Sequence, residues 1–159
     1  MMENNELEHK LHTLVKIARI FNEKGYTWAI GGSCMMYLHG IVDSFHDIDI
    51  MVSMADAESS KQELLKLGLL EKSTPGIYAT KHFYEFVIDN VDIDVMAGFA
   101  IIKDNVPYDC SFVKENIDMI KVIDGVDIPL ESLEKWVIYY HLMGRDNKAN
   151  LIKTYMKSK

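Results

Sequence analysis

The chain has 159 residues and a formal net charge of −7, from 17 Lys and Arg against 24 Asp and Glu. This length and the 48% apolar content predict one globular domain over residues 1–159, and they exclude fibrous and disordered classes. The negative charge disfavours general nucleic-acid binding, because such binding depends on Lys and Arg neutralising phosphates. Two cysteines and no leader segment at the start indicate a reducing cytoplasm.

Positive charge is concentrated at the C-terminal end of the chain. Residues 135–159 hold six Lys and Arg against one acid, a net charge of +5, which leaves −12 for residues 1–134. Residues 25–42 are uncharged and reach the lower length limit of a membrane span, but adjacent glycines and polar residues interrupt them. We therefore predict a strand, a turn and a helix in that stretch, and no membrane segment.

The first half of the chain predicts alternating helices and strands. Apolar residues at helical spacing indicate the helices, and short alternating or β-branched runs indicate the strands. In chain order we predict a helix over 3–24, a strand over 26–30, a tight turn at Gly31-Gly32, a short helix over 34–39, a strand over 47–52 and a helix over 56–67.

The second half predicts a β-hairpin, two further strands and two helices. The dipeptide Asp89-Asn90 between the alternating runs 83–88 and 91–96 is typical of a two-residue hairpin turn. The remaining predictions are a turn at Pro75-Gly76, strands near 119–123 and 126–128, a helix over 133–143 that ends at Gly144, and a last helix capped by Asp146 that runs to about 156. Together these elements predict an α/β fold with a mixed sheet.

The tripeptide Gly31-Gly32-Ser33 lies between a predicted strand and a predicted helix. Glycines allow a ligand to approach the backbone closely, and the first amides of a helix, with the Ser33 hydroxyl, suit a phosphate. A turn with a helix cap is the commoner meaning of such a tripeptide. The tripeptide becomes informative only together with other residues.

Two aspartate pairs provide those residues. Asp47 and Asp49 share one face of a predicted strand, and so do Asp92 and Asp94, because residues i and i+2 of a strand project from the same side. If the strands are neighbours, three or four carboxylates meet, and their repulsion favours a divalent cation; oxygen ligands suit Mg²⁺ or Mn²⁺. Either pair alone also fits a strand that faces solvent.

Other candidate residues have ordinary interpretations. As part of the strand, His46 is expected on the opposite face from Asp47, as a packed or solvent-bonded side chain. The histidines His39, His82 and His141 lack partners at metal-ligand spacing. Cys34 and Cys110 fit as small buried hydrophobic residues.

The order strand, Gly32-Ser33, helix, Asp47-x-Asp49, helix, hairpin, Asp94 resembles the nucleotidyltransferase superfamily of the DNA polymerase β type, particularly its small, minimal members. The segments FHDIDIMV, VDIDVMAG and IPLESLEKWVIYYHLMGRDNKANLI are similar to those of small nucleotidyltransferase-like proteins. The resemblance covers most of residues 26–156, and lincosamide nucleotidyltransferases share the pattern more distantly. It implies a nucleotidyltransferase fold with an N-terminal helix and a C-terminal helical pair.

The resemblance also implies a site and a reaction. The chain would transfer a nucleoside monophosphate from a nucleoside triphosphate to a hydroxyl of a small molecule or a protein, with Mg²⁺ or Mn²⁺ bound. Its implied residues are Asp47, Asp49 and Asp94 as metal ligands and catalytic acids, with Asp92 as the alternative to Asp94, and Gly32, Ser33, Arg145 and Lys148 around the triphosphate.

Two alternatives remain open at this stage, an antibiotic adenylyltransferase and an antitoxin-like interaction module with little catalysis. Many relatives place Arg and Thr four and two residues before the first Asp, whereas this chain has Asp43 and Phe45, which favours the second alternative. A chain of this size offers a shallow cleft, so a homodimer or a protein partner that completes the cleft is a further hypothesis.

Overall fold

The computed structural model describes residues 2–71 and 79–159. Within these ranges the helices are α1 (Met2–Lys24), α2 (Gly32–Leu38), α3 (Ala57–Leu65), α4 (Leu133–Leu142) and α5 (Asp146–Lys157). The strands are β1 (Trp28–Gly31), β2 (Ile48–Val52), β3 (Leu69–Glu71), β4 (His82–Ile88), β5 (Val91–Ala97), β6 (Ala100–Lys103), β7 (Val106–Asp109), β8 (Ile117–Ile123) and β9 (Val126–Glu131). The predicted turn at Pro75-Gly76 lies outside the described residues.

Seven of these strands form one mixed sheet. Their order is β3-β4-β5-β2-β1-β9-β8, and the strands β6 and β7 pair separately with each other. Strand β2 runs parallel to β5 and β1 parallel to β9, whereas the other neighbours are antiparallel. The α/β prediction with a mixed sheet is therefore confirmed.

The predicted hairpin forms because its turn residues tolerate positive φ angles. Asp89 and Asn90 have φ angles of 53° and 64°, as a tight two-residue turn between twisted strands requires. The turn fixes the register of β4 on β5, which places Glu85 opposite Asp94 and Val87 opposite Asp92. Turn chemistry thus determines which acidic residues of β5 have which neighbours.

The core forms because buried faces of strands and helices meet. Alternate residues of the central strands, such as Ile48 and Ile93, are fully buried. Helix α1 contributes fully buried apolar residues, and the Phe21 ring meets Trp28 of β1 edge to face at 5.5 Å. The apolar faces predicted from sequence therefore hold the central strands in place.

Several predicted boundaries are wrong by one or two residues. Strand β1 begins at Trp28 because the Thr27 amide is used elsewhere, donating to the Asp56 carboxylate at 2.8 Å. Strand β2 begins at Ile48, one residue later than predicted. Helix α3 begins at Ala57 because a single 3₁₀ turn over Met54–Asp56 precedes it, and it ends at Leu65, two residues earlier than predicted.

The predicted cap of α5 is also wrong. Arg145 occupies the capping position without a side-chain hydrogen bond to the helix, and Asp146 is the first helical residue. The Asp146 carboxylate instead lies 2.7 Å from the His141 Nδ1 atom of α4, which links the two C-terminal helices. Among residues 2–71 and 79–159, no helix has the length and hydrophobicity of a membrane span.

Candidate active site

A cleft of about 280 Å³ opens beside the ends of β2 and β5. Carboxylates line one part of it, aromatic rings another, and two basic side chains complete it. The lining residues used below are Ser33, His46, Asp47, Asp49, Asp94, Phe99, Trp136, Tyr140, Arg145 and Lys148. Six of the seven site residues predicted from sequence line this cleft, and the seventh, Gly32, lies directly beneath Asp49.

Strand register brings the acidic residues together. Asp49 of β2 lies opposite Asp94 of the parallel neighbour β5, and Asp47 lies one residue before β2 begins. Burial raises the pKa of both Asp49 and Asp94 above the ordinary Asp range, and the Asp47 charge raises both further. The Asp49 charge also raises the pKa of Asp94, whereas a hydrogen bond with Asp94 lowers that of Asp49. Two carboxylates this close resist ionising together unless a positive charge joins them.

The geometry and chemistry of Asp47 fit a cation. Its Oδ1 atom is buried and, among the described residues, has no hydrogen-bond partner; the His46 Nε2 atom at 3.3 Å does not complete a hydrogen bond to it. A buried carboxylate oxygen without a partner is costly, and carboxylate oxygens are the ligands that Mg²⁺ and Mn²⁺ prefer. Asp47 could therefore hold a divalent cation together with His46 and Asp92, because one ligand atom from each of the three lies within 4.8 Å of the others. Asp49 and Asp94 add two more carboxylates to the same cleft.

The turn requires its two glycines because the side chains of Asp49 and Trp136 lie too close to leave room for a Cβ atom. Gly32 has a φ angle of +64°, and a Cβ atom there would lie 2.0 Å from Asp49 Oδ2. A Cβ atom on Gly31 would lie 2.3 Å from Cζ2 of Trp136. The glycines thus allow one carboxylate and one wall of the cleft to approach the backbone.

The two basic residues are positioned by the junction of α4 and α5. The Arg145 amide donates to the Tyr140 carbonyl at 2.8 Å, and the Lys148 ammonium lies 5.5 Å from the centre of the Tyr140 ring. Both positive charges act on Asp49, where they lower its pKa against the effect of burial. The basic C-terminal end therefore reaches the carboxylates at these two positions.

The prediction for His46 is wrong. It lies outside β2, in the bend before the strand, so the alternation of a strand does not apply to it. Its Nε2 atom is 3.0 Å from Asp92 Oδ2 as well as 3.3 Å from Asp47 Oδ1, and its ring lines the cleft. Asp92 is thus engaged by His46, whereas Asp94 lies beside Asp49.

Sequence reasoning also missed Glu131, at the end of β9. This side chain is fully buried; its Oε1 atom accepts a hydrogen bond from Trp136 Nε1 at 2.9 Å, and its Oε2 atom accepts one from Asn116 Nδ2 at 3.4 Å. Burial raises the pKa of Glu131 to about 7 despite these hydrogen bonds. Trp136 lines the cleft, so Glu131 supports one wall of the cleft from behind.

The cysteines are both buried and free, as expected. Burial raises the pKa of the Cys110 thiol to about 11, which keeps it protonated and unreactive near neutral pH. Of the other histidines considered, His82 bonds to Tyr84 and His141 to Asp146. These contacts are structural and lie outside the acidic group.

Solved structures of nucleotidyltransferases share this fold. A proposed nucleotidyltransferase from Thermotoga maritima is 23% identical, with 94% of each chain covered and a TM-score of 0.71. The ANT(2'')-Ia enzyme, solved with adenylyl-2''-tobramycin, is 15% identical over 94% of this chain and 89% of that one, with a TM-score of 0.60. The lincosamide antibiotic adenylyltransferase LnuA, solved with lincomycin, is 15% identical over 92% and 95%, with a TM-score of 0.56.

Sequence comparison identifies the family. No curated protein matches the chain significantly. The family model for aminoglycoside-2''-adenylyltransferase matches residues 13–154, which is most of the chain. The predicted resemblance to nucleotidyltransferases is therefore confirmed, and the chain belongs to the aminoglycoside-2''-adenylyltransferase family of nucleotidyltransferases.

Proposed function

We propose that this nucleotidyltransferase transfers a nucleoside monophosphate, with adenylate as the first candidate, from a triphosphate to a hydroxyl of a small molecule. The single observation that carries the proposal is the pairing of Asp49 with Asp94 next to Asp47, in a cleft that also contains Arg145 and Lys148. This combination offers acidic oxygens for a divalent cation and basic groups for phosphate oxygens.

Asp47, Asp49 and Asp94 would hold the divalent cation, with Mg²⁺ and Mn²⁺ as the candidates. When bound, such a cation polarises the α-phosphate and lowers the pKa of the attacking hydroxyl. Arg145 and Lys148 would bind the triphosphate oxygens, and the Ser33 hydroxyl would donate to them. Gly32 contributes by leaving room for Asp49.

Asp94 is the candidate proton acceptor. A cation bound beside it would keep its carboxylate ionised, and an ionised carboxylate can accept a proton. The acceptor oxygen would form a bond to the α-phosphorus, the bond from the α-phosphorus to the bridging oxygen would break, and pyrophosphate would leave. The hydroxyl proton would pass to the Asp94 carboxylate.

The rest of the cleft favours a small acceptor. Phe99 and Trp136 stack at 6.1 Å between ring centres, and with Tyr140 they give the cleft an aromatic wall. A volume of about 280 Å³ suits a small molecule better than a folded protein. The adenylyltransferases of similar fold, solved with adenylyl-tobramycin and with lincomycin, make antibiotics the first acceptors to test.

The proposal also covers the cellular compartment of the protein and its oligomeric state. Two free, buried cysteines support a reducing cytoplasm. A homodimer or protein partner that completes the cleft is compatible with its open shape, and an antitoxin-like module is the alternative if catalysis is absent.

Transfer of label tests the proposal. The protein would be incubated with Mg²⁺ and with ATP labelled at either the α- or the γ-phosphate, in the presence of aminoglycosides, lincosamides and a cell extract of small molecules. We expect label on an acceptor from α-labelled ATP only, and none with the Asp47→Asn variant or with EDTA. Transfer from γ-labelled ATP would indicate a kinase, and no transfer to any acceptor would favour the interaction module.

A further inference from the structure

The two hydrogen bonds of the buried Glu131 carboxylate join three segments of the chain. Glu131 ends β9, its partner Trp136 lies in α4, and its other partner is the last residue of a 3₁₀ turn over Lys114–Asn116. The Ser132 amide also donates to the Asn116 carbonyl at 2.7 Å, next to these bonds. The start of α4, and with it the Trp136 ring, is therefore held in place around one carboxylate.

The Trp136 ring in turn lies against the backbone of β1 at Gly31. A Cβ atom on Gly31 would lie 2.3 Å from Cζ2 and 2.8 Å from Nε1 of the ring, so the part of the indole that bonds to Glu131 is also the part nearest Gly31. Phe99 stacks on the same ring, with 6.1 Å between ring centres and 23° between ring planes. In a close-packed interior, such contacts transmit a shift of the ring to the backbone that it touches.

The backbone under this ring carries the site's most buried carboxylate. Gly31 is the residue opposite Asp49 in the antiparallel pairing of β1 with β2, and the Asp49 carboxylate rests against the next residue, Gly32. Three successive contacts therefore connect Glu131 to Asp49. They run from Glu131 to Trp136, from Trp136 to Gly31, and across the strand pair to Asp49.

We propose that Glu131 is a positioning residue for Asp49. It fixes the Trp136 ring, and the ring fixes the backbone at Gly31 and Gly32 on which the Asp49 carboxylate rests. The inference rests on the proposed function, in which Asp49 binds the divalent cation. A metal ligand must be held within about 0.5 Å of its productive position, so loss of the Glu131 anchor should weaken cation binding from behind the cleft.

Glu131→Met tests the inference, because Met is unbranched like Glu but is only a weak acceptor for the Trp136 indole. Titration with Mn²⁺, followed by electron paramagnetic resonance, measures cation binding with no nucleotide or acceptor present. We expect the Mn²⁺ dissociation constant to rise about tenfold, the lower end of the range for residues that orient metal ligands. Glu131→Gln keeps an acceptor for the indole and should restore the parent value to within about twofold. Asp49→Asn shows how much of the affinity depends on this carboxylate.

Asn22→Leu is the matched control, because Asn22 anchors the other tryptophan of the chain. The Trp28 indole donates to Asn22 Oδ1 at 2.9 Å, and Asn22 Nδ2 donates to the Asp127 carbonyl at 2.9 Å. Trp28 lies opposite Val52, at the far end of the pairing of β1 with β2. Asn22→Leu should therefore lose stability in urea unfolding, as Glu131→Met does, but bind Mn²⁺ as the parent does.

Trp136→Phe provides a second test, because it removes the donor instead of the acceptor. Combined with Glu131→Met, it should weaken Mn²⁺ binding no more than the larger single change does, since the two residues act through one contact. Additive losses would overturn the inference. Parent affinity in Glu131→Met, or an equal loss in Asn22→Leu, would make Glu131 a purely structural residue and overturn it as well.

The parent protein separates the two proposals. If it bound Mn²⁺ and transferred label, the proposed function would survive each of the contrary results for Glu131. If it bound no Mn²⁺, the proposed function and the inference would both be overturned.

Discussion

Among the described residues, buried Glu131 and the partly exposed acids of the cleft differ in what surrounds them. Glu131 is a single acid whose two oxygens accept hydrogen bonds from Trp136 and Asn116, both neutral donors. The cleft instead groups Asp47, Asp49 and Asp94, and among the described residues one buried oxygen of Asp47 has no hydrogen-bond partner. Burial raises the pKa of Glu131, Asp49 and Asp94 alike.

The comparison shows how a structural acid differs from the acids of the candidate active site. Burying a carboxylate is costly in either place, and neutral donors reduce that cost at Glu131. In the cleft the charges repel one another, so a cation is the group that stabilises all of them at once. A raised pKa alone therefore does not distinguish the two groups; the cleft acids differ from Glu131 in that their charges act on one another.

The largest expected effect comes from removing a cleft carboxylate. Asp94→Asn should lower kcat/KM for transfer by at least about 10³-fold, because the charge stabilisation from a bound metal is worth several kcal/mol. Asp92→Asn is the matched control on the same strand. It removes an exposed contact with His46 and a weaker charge acting on Asp94, and it should cost less than about tenfold if Asp94 is the third acid. Steady-state kinetics would measure both, and equal losses would remove the distinction between the two acids.

The second effect concerns the pH dependence of stability at Glu131. Its pKa is about 7 in the fold and near 4.5 ordinarily, so the folded state holds a proton that the unfolded state has lost between these values. Stability should therefore fall as pH rises through this window. Glu131→Gln keeps an acceptor for Trp136 and removes the titration.

Urea unfolding at pH 5 and pH 8 measures this effect. The free energy of unfolding should fall between the two pH values by about 2–3 kcal/mol more in the parent than in Glu131→Gln. The cleft acids titrate in both proteins, so the difference isolates Glu131. Identical falls in the two proteins would contradict the assignment.

The third effect tests how the turn supports the carboxylates. Gly32→Ala places a methyl group where Asp49 Oδ2 lies, at a positive φ angle that alanine tolerates poorly. We expect a loss of stability of about 1–2 kcal/mol from the backbone alone and, from the displaced carboxylate, about 10²-fold lower activity. Gly144→Ala, also at positive φ but with nothing within 4 Å of its Cβ, is the control and should lose stability only.

The smallest effect concerns Arg145. Arg145→Ala should weaken triphosphate binding by about 1.5–3 kcal/mol, the range for hydrogen bonds to charged groups, with little change in the melting temperature. Lys153→Ala, on the exposed face of the same C-terminal region, is the control. If calorimetry gave the same triphosphate affinity for Arg145→Ala as for the parent, Arg145 would be a solubilising surface residue.

Local signals explain which elements could be predicted from sequence. The β4–β5 hairpin was predictable because Asp89-Asn90 joins two alternating runs. The hairpin of β6 and β7 has the same turn chemistry at Asp104-Asn105, with φ angles of 52° and 64°, but Pro107 and the short flanking runs hid it. Strand β3 exposes all three of its residues, so it shows no alternation.

Some contacts of the candidate site could likewise be predicted from the sequence, and others could not. The spacing of Asp47 and Asp49 is visible in the sequence, and strand register brings Asp94 to them. The contact of Glu131 with Trp136 depends on how α4 packs, and the contact of Trp136 with Gly31 joins residues far apart in the chain. Such tertiary contacts leave no periodic pattern, and the single domain over residues 1–159 also stays a prediction.

Thermal unfolding with metal and nucleotide tests the central claim, that Asp47, Asp49 and Asp94 bind the cation that holds the triphosphate. The parent and Asp49→Asn would be melted at pH 8 with and without Mg²⁺ and a non-hydrolysable ATP analogue. At 100 times the dissociation constant, binding to the native state adds about 2.7 kcal/mol, so the parent should melt about 5–10 °C higher, and Asp49→Asn should show no rise that depends on Mg²⁺. An equal Mg²⁺-dependent rise in both proteins, or none in the parent, would contradict the account.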